Sequence, residues 1–273
     1  MKKKIGFIDH YINEWHADNY PAWIKEVSDE FEVKYVWAEQ YESPVGELNT
    51  DEWCKQFGAE RCDTIAELCE KSDYIIILAP SHPEKHLGYA KEALKYGKNT
   101  YIDKTFAPSL EVAKEIFAIA EQYGTKFFST SALRYATELE QIAGTKNLIT
   151  TSGGGNMPEY IIHQIEMAVK SIEGEPVRVK AEKQGNQCIA TVEFNNGNRW
   201  TAIYSPNLVF TVCGDNAYTP ITSDMFVAMI ADVLRFFKTG EVSFDTNQTL
   251  RAIKIRDGIL AACEKATGEW INL

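Results

Sequence analysis

The sequence predicts an α/β protein: a Rossmann-like, doubly wound parallel sheet followed by an α+β domain with a mostly antiparallel sheet. Strand-like and helix-like segments alternate as far as residues 126–129, and parallel neighbours need a crossover that a helix usually supplies. Residues 74–79, Tyr-Ile-Ile-Ile-Leu-Ala, form an unbroken apolar run of the kind buried on both faces of such a sheet. Beyond residue 176 strand runs follow one another across turn signals, with no helix between them.

In sequence order, residues 5–8 and 33–38 read as strands, rich in β-branched and aromatic side chains, with a helix over 15–27 between them. Asp63 can cap a helix running to residue 70, before the strand at 74–79. Leu87, Ala90, Ala93 and Leu94 recur at helical spacing before Gly97, and residues 100–103 follow as a strand. Ser109 caps a helix whose stripe is Val112, Ile116, Ile119, Ala120 and Tyr123, with Gly124 as its stop. Residues 126–129 close the parallel series. The antiparallel runs are 177–183, 188–194, 199–204 and 208–212, with turns at Gly185-Asn186 and Asn195–Asn198. Two helices, 223–238 and 245–265, and a short strand at Trp270-Ile271 complete the series. The expected division is residues 1–128, a Rossmann-like domain, and 129–273, an α+β domain.

The 273 residues, 45% hydrophobic and 25% charged, suit a folded protein with a sizeable core. A formal charge of −11 without a concentrated basic patch argues against nucleic acid as a partner. The longest strongly apolar run is far short of the roughly 20 residues that span a bilayer, so no membrane segment is expected. Asp9 and His10 interrupt the apolar stretch after the basic start, which argues against a signal peptide. Cys54, Cys62, Cys69, Cys188, Cys213 and Cys263 show no C-x-x-C spacing and read as buried free thiols of a reducing cytoplasm.

Ligands of open parallel sheets bind outside the carboxyl ends of the strands, at the switch point of the strand order. That places Asp9, His10, Tyr11 and Asn13 after the first strand, Ala79, Pro80 and His86 after the apolar strand, and Asp103 and Lys104 after the next among the candidates. The first turn lacks the G-x-G-x-x-G spacing that brings backbone close to a pyrophosphate. Gly6 stands alone, and Asp9 and Glu14 bring carboxylates to that turn.

The stretch Asp73…Pro80…His86…Ala93-Leu94…Gly97-Lys98…Asp103-Lys104-Thr105 resembles the glucose–fructose oxidoreductase/inositol dehydrogenase (Gfo/Idh/MocA) family, whose pattern there is D-x-hydrophobics-x-P, His, A-L-x-x-G-K and E-K-P. Glu159-Tyr-Ile-Ile-His163 resembles the family's D-x-x-x-H. The resemblance implies an NAD(H)-dependent oxidoreductase acting on a sugar, polyol or related carbonyl. It implies that Lys104 sits beside nicotinamide and substrate hydroxyl, that His163 is the general acid/base with Glu159 its acidic neighbour, and that Arg134 and Tyr135 enter the substrate region. Glu39, by position, would accept ribose hydroxyls and favour NAD over NADP. A homo-oligomer formed through the second-domain sheet is also implied. Where the family has E-K-P this sequence reads Asp103-Lys104-Thr105, and Glu replaces Asp four residues before His163.

Two other readings use the same residues. One is a relative without redox function, either a sugar-binding protein or a cofactor-free or metal-assisted lyase or isomerase. The other is a non-catalytic partner subunit. His10, His16, His82, His86 and His163 offer ligands to a first-row metal, but His82 and His86, the one pair at i, i+4, straddle Pro83, and no metal is assigned.

Overall fold

The structure, a computed structural model, describes residues 2–145, 147–215, 217–265 and 268–273. It divides into two units: Met1–Thr130 with Phe226–Thr246, and Ser131–Met225 with Asn247–Leu273. The second unit is therefore not the single block 129–273 that the sequence suggested. The segment 226–246 belongs to the first unit because its aromatic side chains find their partners there.

In the first unit the elements run β1 (Lys3–Asp9), α1 (Trp15–Val27), β2 (Phe31–Ala38), α2 (Thr50–Phe57), β3 (Glu60–Arg61), α3 (Ile65–Lys71), β4 (Tyr74–Ile77), α4 (Pro83–Ala93), β5 (Thr100–Ile102), α5 (Leu110–Tyr123) and β6 (Phe127–Phe128). The described strands form a parallel sheet in the order β3-β2-β1-β4-β5-β6, which reverses between β1 and β4. Ile5, Phe7, Ile8 and Ile75–Ile77 are fully buried, as expected of strands covered by helices on both faces. Gly6 serves this packing, since a Cβ there would lie 2.4 Å from Ser72 Oγ and 2.5 Å from Leu68 Cδ2. Ser109 and Gly124 cap α5 as anticipated, whereas Thr64, not Asp63, caps α3. Sequence reading passed over α2 and β3, although Asn49 and Glu52 form a capping box at the start of α2. Phe237 stacks on Tyr74 with centroids 4.7 Å apart, and Phe236 meets Phe128 edge-on, which anchors helix 225–239 to the parallel sheet.

In the second unit a 3₁₀ turn, Ala132–Tyr135, leads through a further 3₁₀ stretch to β7 (Leu148–Gly153), α6 (Met157–Ser171), β8 (Pro176–Gln184), β9 (Gln187–Phe194), β10 (Arg199–Tyr204), β11 (Thr211–Cys213) and β12 (Tyr218–Pro220). Next come α7 (Met225–Thr239), most of it in the first unit, α8 (Asn247–Lys265) and β13 (Ile271–Asn272). The described strands order as β12-β11-β7-β10-β9-β8-β13. The sheet is mixed, because β7, which sequence reading missed, pairs parallel to β10. Alternate residues Ala190, Val192 and Phe194 of β9 and Trp200 and Ala202 of β10 are buried, while Ile189 and Ile203 face out. Helix α8 packs on β8 and β9.

Candidate functional site

In the first unit the switch point gathers the ends of β1, β4 and β5. Asp9, the last residue of β1, is buried, and its Oδ1 accepts from the backbone N–H of His10 (2.7 Å) and of Ala79 (3.0 Å). The latter bond holds Ala79 in the left-handed region, φ 66°, which a non-glycine residue rarely takes. Asp9 Oδ2 is buried without a hydrogen-bond partner. Burial, reinforced by the neighbouring Glu14 carboxylate, raises the Asp9 pKa well above the usual carboxylate range.

At the end of β2, Glu39 accepts from Tyr89 Oη (2.6 Å), Lys85 Nζ (3.0 Å) and the His10 ring (2.8 Å). The Tyr89 hydroxyl, with Lys85 and His10, outweighs partial burial and lowers the Glu39 pKa to about 2. An ionised, part-exposed carboxylate in this position suits a ribose diol and repels a 2′-phosphate. His10 also packs against His82, centroids 4.7 Å apart, and Tyr11 Oη lies 3.4 Å from His82 Nε2.

Lys104 follows β5, part-buried, with Nζ 3.4 Å from the carbonyl oxygen of Pro80. Asp103 beside it points inward. Its Oδ1 accepts from Tyr20 Oη (3.1 Å) and Tyr101 Oη (3.3 Å), and Oδ2 lies 3.8 Å from His16 Nε2.

Two candidates prove to have structural positions instead. His86 is fully buried between the carbonyls of Phe106 (2.9 Å) and Leu78 (2.5 Å), where burial favours its neutral form. It ties the end of β4 to the segment before α5 and does not reach outward. Asn13 donates to both carboxylate oxygens of Asp18 and accepts from the backbone of Leu48, so its amide straps the first turn and is not directed at a ligand.

In the second unit His163 lies on α6, and Ser131 Oγ stands 2.6 Å from its Nδ1. The same hydroxyl oxygen accepts from Leu133 N (3.2 Å). The approach to Nδ1 fixes the orientation of the ring. Glu159, one turn before His163, makes no hydrogen bond to it and feels the charge of Arg256. Arg134 is buried. Its Nε donates to Glu166 Oε2 at 2.7 Å and its Nη1 to Gln248 Oε1 at 2.7 Å. This corrects its expected place as a ligand-facing cation, because the guanidinium serves a buried ion pair. Tyr135, next to it in the 3₁₀ turn, is half-buried.

Glu14 and Ser131 were not among the sequence candidates. Glu14 could have been found as the residue preceding a predicted helix, the N-cap position. Ser131 had no such signal. Among the described residues no three His, Cys, Asp or Glu side chains gather as metal ligands, and no helix is long and apolar enough to cross a membrane. All six cysteines are free.

Residues 18–131 match the profile of an oxidoreductase family with an NAD-binding Rossmann fold. Over that stretch the chain is similar to the Gfo/Idh/MocA oxidoreductases. It shares 40% identity over 58 residues with the uncharacterized oxidoreductase YhhX of Escherichia coli K12, a match spanning 21% of this chain and 17% of that protein. In structure it is similar to a myo-inositol dehydrogenase from Corynebacterium glutamicum, with TM-score 0.79 and 13% identity over 100% of this chain and 99% of that one. It is equally similar to a scyllo-inositol dehydrogenase from Lactobacillus casei with bound NAD(H) and scyllo-inositol, with TM-score 0.79 and 14% identity over 100% and 99% of the two chains. At these identities the likeness is one of fold.

The dinucleotide that the Gfo/Idh/MocA family implies can be tested against the residues present. Glu39 fits its ribose. The amides at the start of α1 are the donors that suit its diphosphate, and they are held by the Glu14 carboxylate, which accepts from Ala17 N (2.6 Å) and His16 N (2.9 Å). These amides are the kind of donor a diphosphate takes, and in this structure Glu14 holds them.

Proposed function

We propose that this protein is an oxidoreductase that interconverts a hydroxyl and a carbonyl group on a sugar, polyol or related compound, with NAD(H) as its cofactor. The observation that carries the proposal is Lys104, placed at the carboxyl end of β5 in a unit whose sheet reverses at the adjacent strands. NAD(H), when bound, accepts or supplies the hydride. The protein's own residues handle the charge and the proton. The Lys104 ammonium stabilises the alkoxide that develops as the substrate hydroxyl loses its proton. His163 takes up or returns that proton, with Ser131 Oγ against Nδ1 orienting the ring. Glu39 selects NAD over NADP.

Other parts of the reading follow the same support. The outward side chains Ile189 and Ile203, 52% and 39% exposed, form an apolar patch on the open face of the second sheet that a second copy of the protein would cover. The free thiols suit a cytoplasmic protein, with a sugar-like small molecule as partner rather than nucleic acid or membrane.

The test is a screen of polyols and sugars for NAD⁺ reduction, read by NADH absorbance, with Lys104→Ala and His163→Ala run beside the wild type. Turnover in the wild type that both variants lose supports the reading. Turnover that both variants keep contradicts the assignment of the two residues.

A further inference from the structure

The start of α1 differs from an open anion seat in one respect that bears on how this protein takes up its cofactor. Usual N-caps are short, Ser, Thr, Asp or Asn, and satisfy an amide near the helix end. Here Glu14 occupies the N-cap and its longer side chain spans two amides, those of His16 and Ala17, with His16 Nδ1 a further 3.2 Å contact. The Glu14 side chain is only 7% exposed, so the carboxylate is set into the helix end rather than hanging over it. Beneath the same turn Asp9 holds the amides of His10 and Ala79 through one oxygen and leaves the other buried and unpartnered. Four amides around the switch point are thus satisfied by two of the protein's own carboxylates. In a glycine-rich first turn the equivalent donors would face a ligand.

We propose that Glu14 is a built-in competitor for the diphosphate of NAD(H): its carboxylate holds the first amides of α1 in the free protein and leaves them when the dinucleotide binds. It acts as an internal stand-in for one phosphate, so it weakens binding without altering the ribose contact at Glu39. A carboxylate and a phosphate cannot share the same two amides, and their like charges add to the conflict. This inference rests on the proposed use of NAD(H), and its test separates the two.

Glu14→Ser keeps a good N-cap while removing the long carboxylate. Thermal-shift titrations of the wild type and this variant would use NADH and, separately, inorganic pyrophosphate without magnesium. The expected result is an NADH Kd lower by about tenfold or more in Glu14→Ser, a gain of about one helix-end charge effect plus relief of repulsion. Saturable stabilisation by pyrophosphate is expected in the variant and not in the wild type. Glu14→Asp, which keeps a carboxylate on the cap, should behave as the wild type. If Glu14→Ser does not fold, Glu14→Gln removes the charge with nearly the same shape and carries the same comparison.

NADH binding that is equal or weaker in the uncharged variant, with pyrophosphate inert, would overturn the role of Glu14 while leaving the cofactor assignment standing. Pyrophosphate binding gained by the variant, with no NADH response in either protein, would overturn the dinucleotide reading and support Glu14 as the group that closes the anion seat. No response of either protein to either probe would overturn both.

Discussion

Replacing Glu166 by alanine should strongly destabilise the second unit, because Arg134 would keep its charge in a buried place and lose the carboxylate that faces it at 2.7 Å. The two side chains are each about 5% exposed and meet at 2.7 Å. Breaking such a pair from one side costs about 3–5 kcal/mol, much more than a surface ion pair is worth. The Arg134 bond to Gln248 cannot offset this, since a neutral amide oxygen supplies no charge. At about 2–4 °C per kcal/mol for a unit of this size class, the expected fall in Tm is roughly 6–20 °C. Calorimetry or urea unfolding would measure it. The Arg134→Met, Glu166→Met double variant should recover most of the loss, because an apolar pair of similar volume removes both buried charges. A cost below about 1 kcal/mol for Glu166→Ala would refute the reasoning. It would mean that Arg134 is free to turn toward a ligand, as the family resemblance had implied.

Lys104→Ala should leave Tm nearly unchanged and reduce turnover by at least about a hundredfold on any substrate the polyol screen yields, as expected for loss of one charge-stabilising group; turnover within a fewfold of wild type would remove Lys104 from the chemistry. Glu138 accepts from Ser223 Oγ (2.6 Å), Thr222 N (2.8 Å) and Ser223 N (2.9 Å); burial pushes its carboxyl up, but these bonds outweigh it and lower the pKa from 4.5 to about 2. A lowered carboxylate pKa stabilises the fold above pH 4.5 by up to about 3 kcal/mol and loses that contribution as pH falls toward 2, so Glu138→Gln should be less stable at pH 7 and converge with wild type in acid. Urea unfolding at pH 7 and near pH 2.5 would show a gap that narrows, and a gap independent of pH would contradict the assignment. Ile189→Lys should shift the protein to a smaller species in light scattering without lowering Tm by more than about 1–2 °C, and an unchanged mass would exclude that face as the contact between copies.

The parallel unit was legible because burial on both faces leaves a direct mark. Residues 74–79 could be little else, and the caps at Ser109 and Gly124 are local chemistry that one sequence shows. What it could not show depends on partners distant in the sequence. β7 looks polar in its Thr-Thr-Ser run and is a strand because Trp200 Nε1 bonds Thr151 Oγ1 and β10 lies alongside. The helix at 225–239 belongs to the first unit because Tyr74 and Phe128 receive its phenylalanines, 100 residues away or more, which periodicity cannot reveal. Residue types and strand runs placed Asp9, Glu39 and Lys104 at the carboxyl ends of strands, where the structure has them. They could not tell that His86 and Arg134 spend their polar atoms internally, since a histidine or arginine that holds the fold reads the same as one that meets a ligand. Ser131 escaped notice for the converse reason: its role exists only through the 2.6 Å approach to a ring 32 residues later.

The central claim is that the first unit of this protein takes up NAD(H) despite its altered first turn. The most direct measurement is a thermal-shift titration of the purified wild-type protein with NAD⁺, NADH, NADP⁺ and NADPH up to about 5 mM, since a ligand that binds the folded state must raise its apparent stability. The account predicts a saturable rise with NAD⁺ and NADH and a smaller one with the NADP pair, because the ionised Glu39 proposed for the ribose would repel a 2′-phosphate. No rise with any of the four would contradict it.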